Sequence, residues 1–247
     1  MSKPGFFAQV ADWFADPARW SGPTGIPARL WEHVQTSVTA VAIAAVIALP
    51  LALYIGHRRR LEFLVVSVGN FGRAIPSFGL IVFFAILIGL KLNWPAPYRP
   101  AIILAMVLLA IPPILTNAYV GIQGADPDLL EAARGMGMSE WQVLRRVEVP
   151  LATPLIVAGL RIAAVQVVAT ATLAAFVAGG GFGRYIIDGF ATSDEVEIFG
   201  GAVLVALLAI LTEFGFGLLQ RSLAPRMTSG GRRARADVLP AETGAAA

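Results

Sequence analysis

Apolar runs long enough to cross a lipid bilayer dominate this chain of 247 residues. A helix of roughly 20 apolar residues spans a hydrocarbon core of about 30 Å, and the sequence repeats stretches of that length. Hydrophobic residues make up 57% of the chain and charged residues only 14%, a balance unlike that of a soluble domain. The sequence therefore predicts an all-α polytopic membrane protein with spans at about 34–56, 61–90, 100–121, 153–178 and 198–219.

Three arginine clusters set the predicted orientation of these spans. They lie at 58–60, at 134–146 and in the tail after the last span, and the positive-inside rule places all three in the cytoplasm. About five transmembrane helices satisfy the rule, with the N-terminus outside and the C-terminus inside, when 61–90 counts as one broken span. The interruption at Arg73–Ser77 leaves open whether that stretch is one broken helix or two short ones. Two full crossings there would put the polar segment 126–144 on the wrong side.

The chain divides into three parts on composition. Residues 1–33 are rich in Trp and Phe and are predicted to form an interfacial segment on the outer face. They lack the apolar core of a cleavable signal peptide. Residues 34–220 form the predicted transmembrane domain. Residues 221–247 are rich in Gly, Ala and Arg, and we expect them to be a disordered cytoplasmic tail.

The residues that the sequence lacks exclude most catalytic chemistry. There is no cysteine, so disulfides and thiolate chemistry are excluded. Neither lysine, Lys3 or Lys91, follows a phosphate-binding glycine loop, so the chain does not hydrolyse ATP itself. His33 and His57 flank the first span, which argues against a His-rich metal site, and His57 is interpreted as part of the cytoplasmic boundary. We expect no enzyme activity, no metal site and no cofactor on this chain, and no nucleic-acid partner, since topology explains its basic charge.

The polar segment 126–144 predicts a helical hairpin between two spans. Asp126 is a good N-cap and Pro127 suits the first helical position. Gly135 and Gly137 can supply the backbone that ends the first helix. Ser139 with Gln142 has the spacing of a capping box, which starts a second helix that should stop before Pro150.

Glu131-Ala132-Ala133, then Gly137, then Val147-x-Val149-Pro150, resembles the "EAA" loop of permease subunits of bacterial ATP-binding-cassette (ABC) importers. Val147 and Val149 stand where Ile and Leu are more usual. In that family the loop is a cytoplasmic coupling helix that docks into a groove on the ATPase. Small residues there would allow close approach, and Gly137 a sharp turn. The resemblance implies these ATPase-coupling residues: Glu131, Ala132, Ala133, Gly135, Gly137 and Pro150. An ordinary cytoplasmic loop is the alternative.

Three further stretches, Ala74–Leu80, Glu148–Leu151 and Ala169–Phe176, resemble the sequences of permeases for quaternary-amine osmoprotectants. The resemblance covers about Val34 to Gln220. It implies an inner-membrane permease that imports glycine betaine, choline or carnitine by alternating access. The implied partners are a cytoplasmic ATPase that binds ATP and Mg²⁺, a second permease copy (this chain or a related one), and an extracytoplasmic solute-binding protein.

Polar residues and helix breakers within the spans are candidates for a pathway or gate. Prolines remove backbone hydrogen bonds, and in transporters such breaks often line the pathway. A charge within a span is costly, although an arginine can also snorkel to an interface. The glycine run after the fourth span favours a turn or re-entrant element near an outer gate. The candidates are Arg73, Pro76, Pro112, Pro113, Asn117, Gly180 and Gly181. Kinks that serve packing alone are the alternative.

Two charged residues in later spans have simpler interpretations. Arg161 is expected to snorkel to the cytoplasmic side, and Glu213 to reach the inner face or to pair with an arginine of a neighbouring helix. None of these groups forms the carboxylate relay of a proton-driven transporter. The remaining functional alternatives are an ABC permease for methionine or another small solute and, more remotely, an ATP-independent channel or an ion-coupled carrier.

Overall fold

The computed structural model describes residues 5–59, 61–92 and 99–223. All regular structure within these ranges is helical, which confirms the all-α class. The helices are α1 (Phe6–Ala15), α2 (Ile26–Arg58), α3 (Glu62–Ala74), α4 (Ser77–Leu92), α5 (Arg99–Gln123), α6 (Pro127–Gly135), α7 (Glu140–Val143), α8 (Val149–Thr170), α9 (Gly183–Thr192) and α10 (Glu195–Leu223). Pro17–Trp20 and Ala171–Val177 are 3₁₀-helical, and Leu144–Glu148 is a π-helical turn. Helix α10 takes in the start of the predicted tail, and the rest of the tail lies outside the described residues.

Among the described residues, four helical stretches are long and apolar enough to cross a membrane: Ile26–Arg58, Arg99–Gln123, Glu140–Val177 and Glu195–Leu223. The second predicted span, 61–90, is divided at Ile75 and Pro76 into α3 and α4, and its apolar part is the shorter Ser77–Gly89. The number of crossings and their direction stay predictions. The first span begins at Ile26 rather than at Val34, because Pro27 in its first turn starts a helix before the apolar run begins.

Helices α3 and α4 both pack against α5, and whether they form one broken span stays open. Gly69 of α3 faces Thr116 of α5, and Gly72 of α3 faces Pro112 of α5. The two helices therefore run antiparallel along this contact. At the second contact a Cβ would stand only 2.3 Å from the Pro112 ring. Phe78, at the start of α4, then packs edge-on against Phe176 with ring centroids 5.1 Å apart.

Helix α2 packs against α5 through a stripe of small residues. Ala40, Ala44, Ala48 and Ala52 are four residues apart and have no exposed surface. Small residues let helix backbones approach closely, which matters in lipid because burial from water supplies no driving force there. The other side of α2 carries apolar residues such as Val46, which is 74% exposed. The seam between α2 and α5 therefore depends on the close packing of small side chains rather than on hydrophobicity.

The aromatic N-terminal segment packs partly inside the protein. Trp13 is buried against Gly200 of α10 and makes an edge-on contact with Tyr185. Burial raises the pKa of the Tyr185 hydroxyl, which donates to the Thr24 carbonyl at 2.8 Å. Phe7 and Trp31 remain mostly exposed, and the interfacial position of this segment stays a prediction.

We predict that Ala44→Leu lowers the free energy of unfolding by roughly 1–3 kcal/mol, because the larger side chain overpacks the seam between α2 and α5. Val46→Leu enlarges an exposed side chain of the same helix and should have little effect. Thermal unfolding of the purified protein in detergent measures both. Equal melting temperatures for the two variants would contradict the close packing of this seam.

Candidate functional site

The predicted hairpin begins at α6 with the caps that the sequence indicated. The Asp126 carboxylate accepts a hydrogen bond from the Asp128 backbone N–H at 2.9 Å, and Pro127 occupies the first turn. Asp128 adds negative charge where the helix dipole favours it. The polar segment therefore folds as a helix with a defined start directly after α5.

Gly137 ends this helix in a left-handed conformation with φ of +83°. The Met138 N–H donates to the Ala133 carbonyl at 3.2 Å, and the Gly137 N–H donates to the Arg134 carbonyl at 2.9 Å. These two bonds form a Schellman motif, in which glycine is preferred because a Cβ is strained at positive φ. Of the two glycines proposed for the turn, Gly137 makes it, whereas Gly135 is the last helical residue.

The second helix begins with the predicted capping box but does not stop before Pro150. The Ser139 hydroxyl accepts from the Gln142 N–H, and the Gln142 side chain accepts from the Ser139 N–H at 2.8 Å. Helix α7 then passes through the π turn into α8, so that prediction is wrong. Proline is tolerated here because it lies in the first turn of α8, directly after a turn whose bonds already differ from the α pattern.

The predicted coupling residues divide between the surface and the core of the hairpin. Glu131, Ala132, Gly135 and Gly137 are exposed, as is Pro150. Ala133 is buried with Leu130 and Val143, where it holds the two short helices together rather than lying on the surface. The Arg134 guanidinium also closes the hairpin through two contacts to the Glu140 carboxylate, at 2.9 and 3.2 Å. That hydrogen-bonded carboxylate raises the pKa of Arg134.

Exposed apolar side chains surround the turn of this hairpin. Leu129 is 45% exposed, Met136 77% and Trp141 68%. A large apolar or aromatic side chain exposed on an otherwise polar segment is typical of a contact surface. The hairpin therefore presents a partly apolar surface at the end of the helix bundle.

His57, at the end of α2, links the hairpin to the helix bundle. Its Nδ1 lies 2.6 Å from Glu148 Oε2, and its Nε2 lies 3.2 Å from Glu140 Oε2. Glu148 is only 2% exposed, so its carboxylate depends on this partner. The interpretation of His57 from the sequence, as part of the cytoplasmic boundary, did not include this contact. The one available signal was Glu148 itself, a lone charge between Val147 and Val149.

An interior cavity of about 500 Å³ lies between α3, α4, α5 and α8, and it is open on one side, where Ile75 and Ile162 are exposed. Pro112, Pro113 and Asn117 line it, as predicted for a pathway, and the Asn117 amide donates to the Pro113 carbonyl at 2.8 Å. Pro76 is not among the lining residues, although its neighbours Ile75 and Ser77 are. The side chain of Arg73 lies outside the described residues. Residues that sequence reasoning missed include Thr116, Gln166 and Thr170.

Among the residues that the structure describes, the lining of this cavity is uncharged and mixes apolar residues with the polar Ser77, Thr116, Asn117, Gln166 and Thr170. The Thr116 hydroxyl is buried there and has no hydrogen-bond partner in the described structure. A buried polar group without a partner costs free energy unless a ligand or water satisfies it. The arrangement can therefore accept a small polar molecule through neutral hydrogen-bonding groups.

Gly180 and Gly181 lie near a different cavity, at the predicted outer end of α2. The Gly181 N–H donates to Glu32 Oε2 at 2.9 Å, and the Phe182 N–H donates to His33 Nδ1 at 3.2 Å. A Cβ on Gly180 would lie 2.3 Å from the Glu32 carboxylate. The structure thus separates the predicted pathway residues into an interior group and an outer loop held by α2.

Arg161 and Glu213 form an ion pair between α8 and α10. Arg161 also donates to the Gln220 side chain at 3.4 Å. Of the two options for Glu213, pairing with a neighbouring arginine is the one that the structure shows. The ion pair therefore fixes Arg161 against α10, a contact that the expectation of snorkelling did not include.

Taken together, the apolar helix bundle, its interior polar cavity and its capped polar hairpin define a membrane transport subunit. The chain belongs to the family of binding-protein-dependent transport system inner membrane components, whose model matches residues 35–229. Members are inner-membrane permease subunits of ABC importers, not enzymes, and they work with a separate ATPase and a solute-binding protein.

Curated relatives cover most of the chain. A carnitine transport permease protein, OpuCD of Listeria monocytogenes, is 37% identical over 196 residues, which are 79% of this chain and 85% of the relative. A glycine betaine/carnitine/choline transport system permease protein, OpuCB of Bacillus subtilis, is 35% identical over 199 residues, 81% of this chain and 88% of the relative. Among solved structures, the inward-facing MetNI methionine ABC transporter matches with a TM-score of 0.69 at 23% identity. That match covers 78% of this chain and 93% of the solved chain, and it supports the fold alone.

We predict that His57→Ala lowers the free energy of unfolding by about 3–5 kcal/mol, because it leaves the buried Glu148 carboxylate without a partner. The double variant His57→Ala/Glu148→Leu removes the unpaired charge and should recover much of that loss. Thermal unfolding in detergent, monitored by tryptophan fluorescence, measures this cycle. Additive effects of His57→Ala and Glu148→Leu would show that the pair is not coupled.

Proposed function

We propose that this chain is the permease subunit of an importer for quaternary-amine osmoprotectants such as glycine betaine, choline and carnitine. The observation that carries the proposal is the similarity to permeases of carnitine and of glycine betaine/carnitine/choline transport over about four-fifths of the chain. The interior cavity of about 500 Å³ is compatible with a small zwitterion or cation, because its described lining is uncharged and includes polar side chains that can hydrogen bond a carboxylate or hydroxyl group.

The proposed coupling element is the hairpin of α6 and α7. Its exposed turn, with Met136 and Trp141, would dock into a groove on a cytoplasmic ATPase, and that partner would bind ATP and Mg²⁺. No cofactor is proposed for this chain. Glu131, Ala132, Gly135 and Gly137 are exposed where such docking would need them, and Ala133 would support the hairpin from within.

A direct mechanical path supports this assignment. Helix α7 continues through the π turn into α8 without a break, from Glu140 to Val177. Ile162, Gln166 and Thr170 of the same helical stretch line the interior cavity. Movement of the hairpin would therefore displace one wall of the cavity. The contacts of His57 with Glu140 and Glu148 would pass part of that movement to α2.

The transport cycle that we propose is alternating access by two permease copies. A solute-binding protein delivers the solute to the outer side, and closure of two ATPases on ATP moves both hairpins. The second permease would be another copy of this chain, and a related permease is the alternative. Purification with two distinguishable tags separates these cases, because only a homodimer carries both tags.

We predict that cells lacking this chain lose most uptake of labelled glycine betaine, choline and carnitine when other uptake systems for them are deleted. The reason is that the permease forms the only path for solute delivered by its binding protein. Uptake is measured at normal and raised osmolarity, with and without the restored chain. Unlabelled methionine should not compete. Undiminished uptake of all three amines, or competition by methionine, would assign the permease to another small solute.

We also predict that Gly137→Val reduces uptake about tenfold, whereas Gly137→Asn retains most of it. The space around the Gly137 Cβ position is open, so the two variants differ mainly in left-handed strain, which costs roughly 1–2 kcal/mol for most residues and less for Asn. ATP hydrolysis by the assembled complex should lose its stimulation by solute-loaded binding protein in the valine variant alone. Equal behaviour of both variants at matched abundance would contradict a role for the turn.

A further inference from the structure

A second cavity, of about 470 Å³, opens at the predicted outer face. It lies between the start of α2, the start of α5 and the segment from Ala171 to Arg184. Its volume is within the range of small-molecule sites. Three arginines contribute to its wall, Arg29, Arg99 and Arg184, together with a single carboxylate, that of Glu32.

The three arginines of the cavity differ in whether a carboxylate contacts them. Arg29 contacts the Glu32 carboxylate at 2.9 Å, and Arg184 pairs with Asp188. Arg99 instead donates to the neutral Gln35 side chain at 3.2 Å, and within the described ranges it contacts no carboxylate. The connector that precedes it, residues 93–98, contains no Asp or Glu. Among the described residues, three arginines face only the two carboxylates of Glu32 and Asp188, so the cavity carries a net positive charge, and Arg99 is the arginine without a carboxylate contact.

The single carboxylate of the cavity is already engaged. Glu32 Oε2 accepts hydrogen bonds from both the Arg29 guanidinium and the Gly181 N–H. The neighbouring His33 ring adds no charge in this arrangement. Its Nδ1 accepts from Phe182, so the proton lies on Nε2, which donates to the Val168 carbonyl at 2.9 Å. Glu32 is close enough to attract Arg99 electrostatically, but its Oε2 is hydrogen bonded to other groups and makes no ion pair with Arg99.

The chemistry of the lining favours a carboxylate over a quaternary ammonium group. Arginine binds carboxylates through charge-assisted hydrogen bonds, and the exposed Arg99 has no carboxylate contact among the described residues. The described lining includes no Phe, Tyr or Trp, the side chains that hold a quaternary ammonium group by cation–π attraction.

We infer that this cavity receives the carboxylate group of a zwitterionic solute as it enters from the outer side, with Arg99 as its main contact. The inference rests on the proposed osmoprotectant function and deepens it. Glycine betaine and carnitine carry a carboxylate, whereas choline has the same quaternary ammonium group and a neutral hydroxyl. The cavity therefore favours the first two solutes over choline at the entry step, in addition to any selection by the binding protein.

The test compares uptake of the three labelled solutes at saturating concentration in cells that express Arg99→Gln. We expect the ratio of glycine betaine or carnitine uptake to choline uptake to fall about tenfold, since a charge-assisted contact is lost for the carboxylates alone. Arg99→Lys should restore part of the ratio because it keeps the charge. Arg19→Gln is the matched control: it removes an arginine that contacts Glu197 and does not line this cavity.

The outcomes separate this site from the wider proposal. An unchanged ratio in Arg99→Gln, whether all three solutes are lost equally or none is lost, overturns the carboxylate site. The same ratio change in Arg19→Gln overturns it as well, as does a wild-type protein that transports choline alone. If the wild-type protein transports none of the three solutes, the proposed osmoprotectant function itself fails.

Discussion

The close packing of α2 on α5 is the contact on which the rest of the bundle depends. Alanines of α2 are completely buried against α5, which is the most buried of the four long apolar helices. In a membrane, such contact between backbones replaces the drive that water supplies to a soluble core. Helix α5 then provides surfaces for α3, α4 and α8, and the interior cavity lies where these helices meet.

Placement of the hairpin follows from the same framework. Helix α5 leads into α6 after a short turn, and α7 leads into α8 through the π turn. The hairpin is therefore joined at both ends to helices that line the cavity, rather than suspended on flexible linkers. His57 adds a third connection, from the end of α2. A rigid connection of this kind is what a coupling element requires, because a flexible loop would absorb the displacement instead of passing it on.

Local features of the fold were predictable from sequence because their causes are local. The cap at Asp126, the capping box at Ser139 and the turn at Gly137 depend on residues that are only a few positions apart. The break at Pro76 follows from a missing backbone donor in the same way. The end predicted for the second hairpin helix was wrong because proline can lie in the first turn of a helix that continues a preceding one.

Contacts between residues that are far apart in the sequence were not predictable. His57 and Glu148 are 91 residues apart, and Glu32 meets Gly181 across 149 residues. The sequence placed His57 at a predicted cytoplasmic boundary and Gly181 near a predicted outer gate, but only the packing of the helices brings each of them to its partner. The same limit applies to the interior cavity, where the prolines of α5 were expected and the polar residues of α8 were not.

The distribution of charge along the bundle also bears on the proposed function. Several charged side chains of the described bundle lie in pairs: Arg29 with Glu32 near the start of α2, His57 with Glu148 near its end, and Arg161 with Glu213 between α8 and α10. Around the interior cavity the described residues are neutral, and they include serine, threonine, asparagine and glutamine. A fixed charge there would bind one end of a zwitterion tightly and slow its release. Neutral polar groups hold the solute more weakly, which suits a step that must pass solute onward.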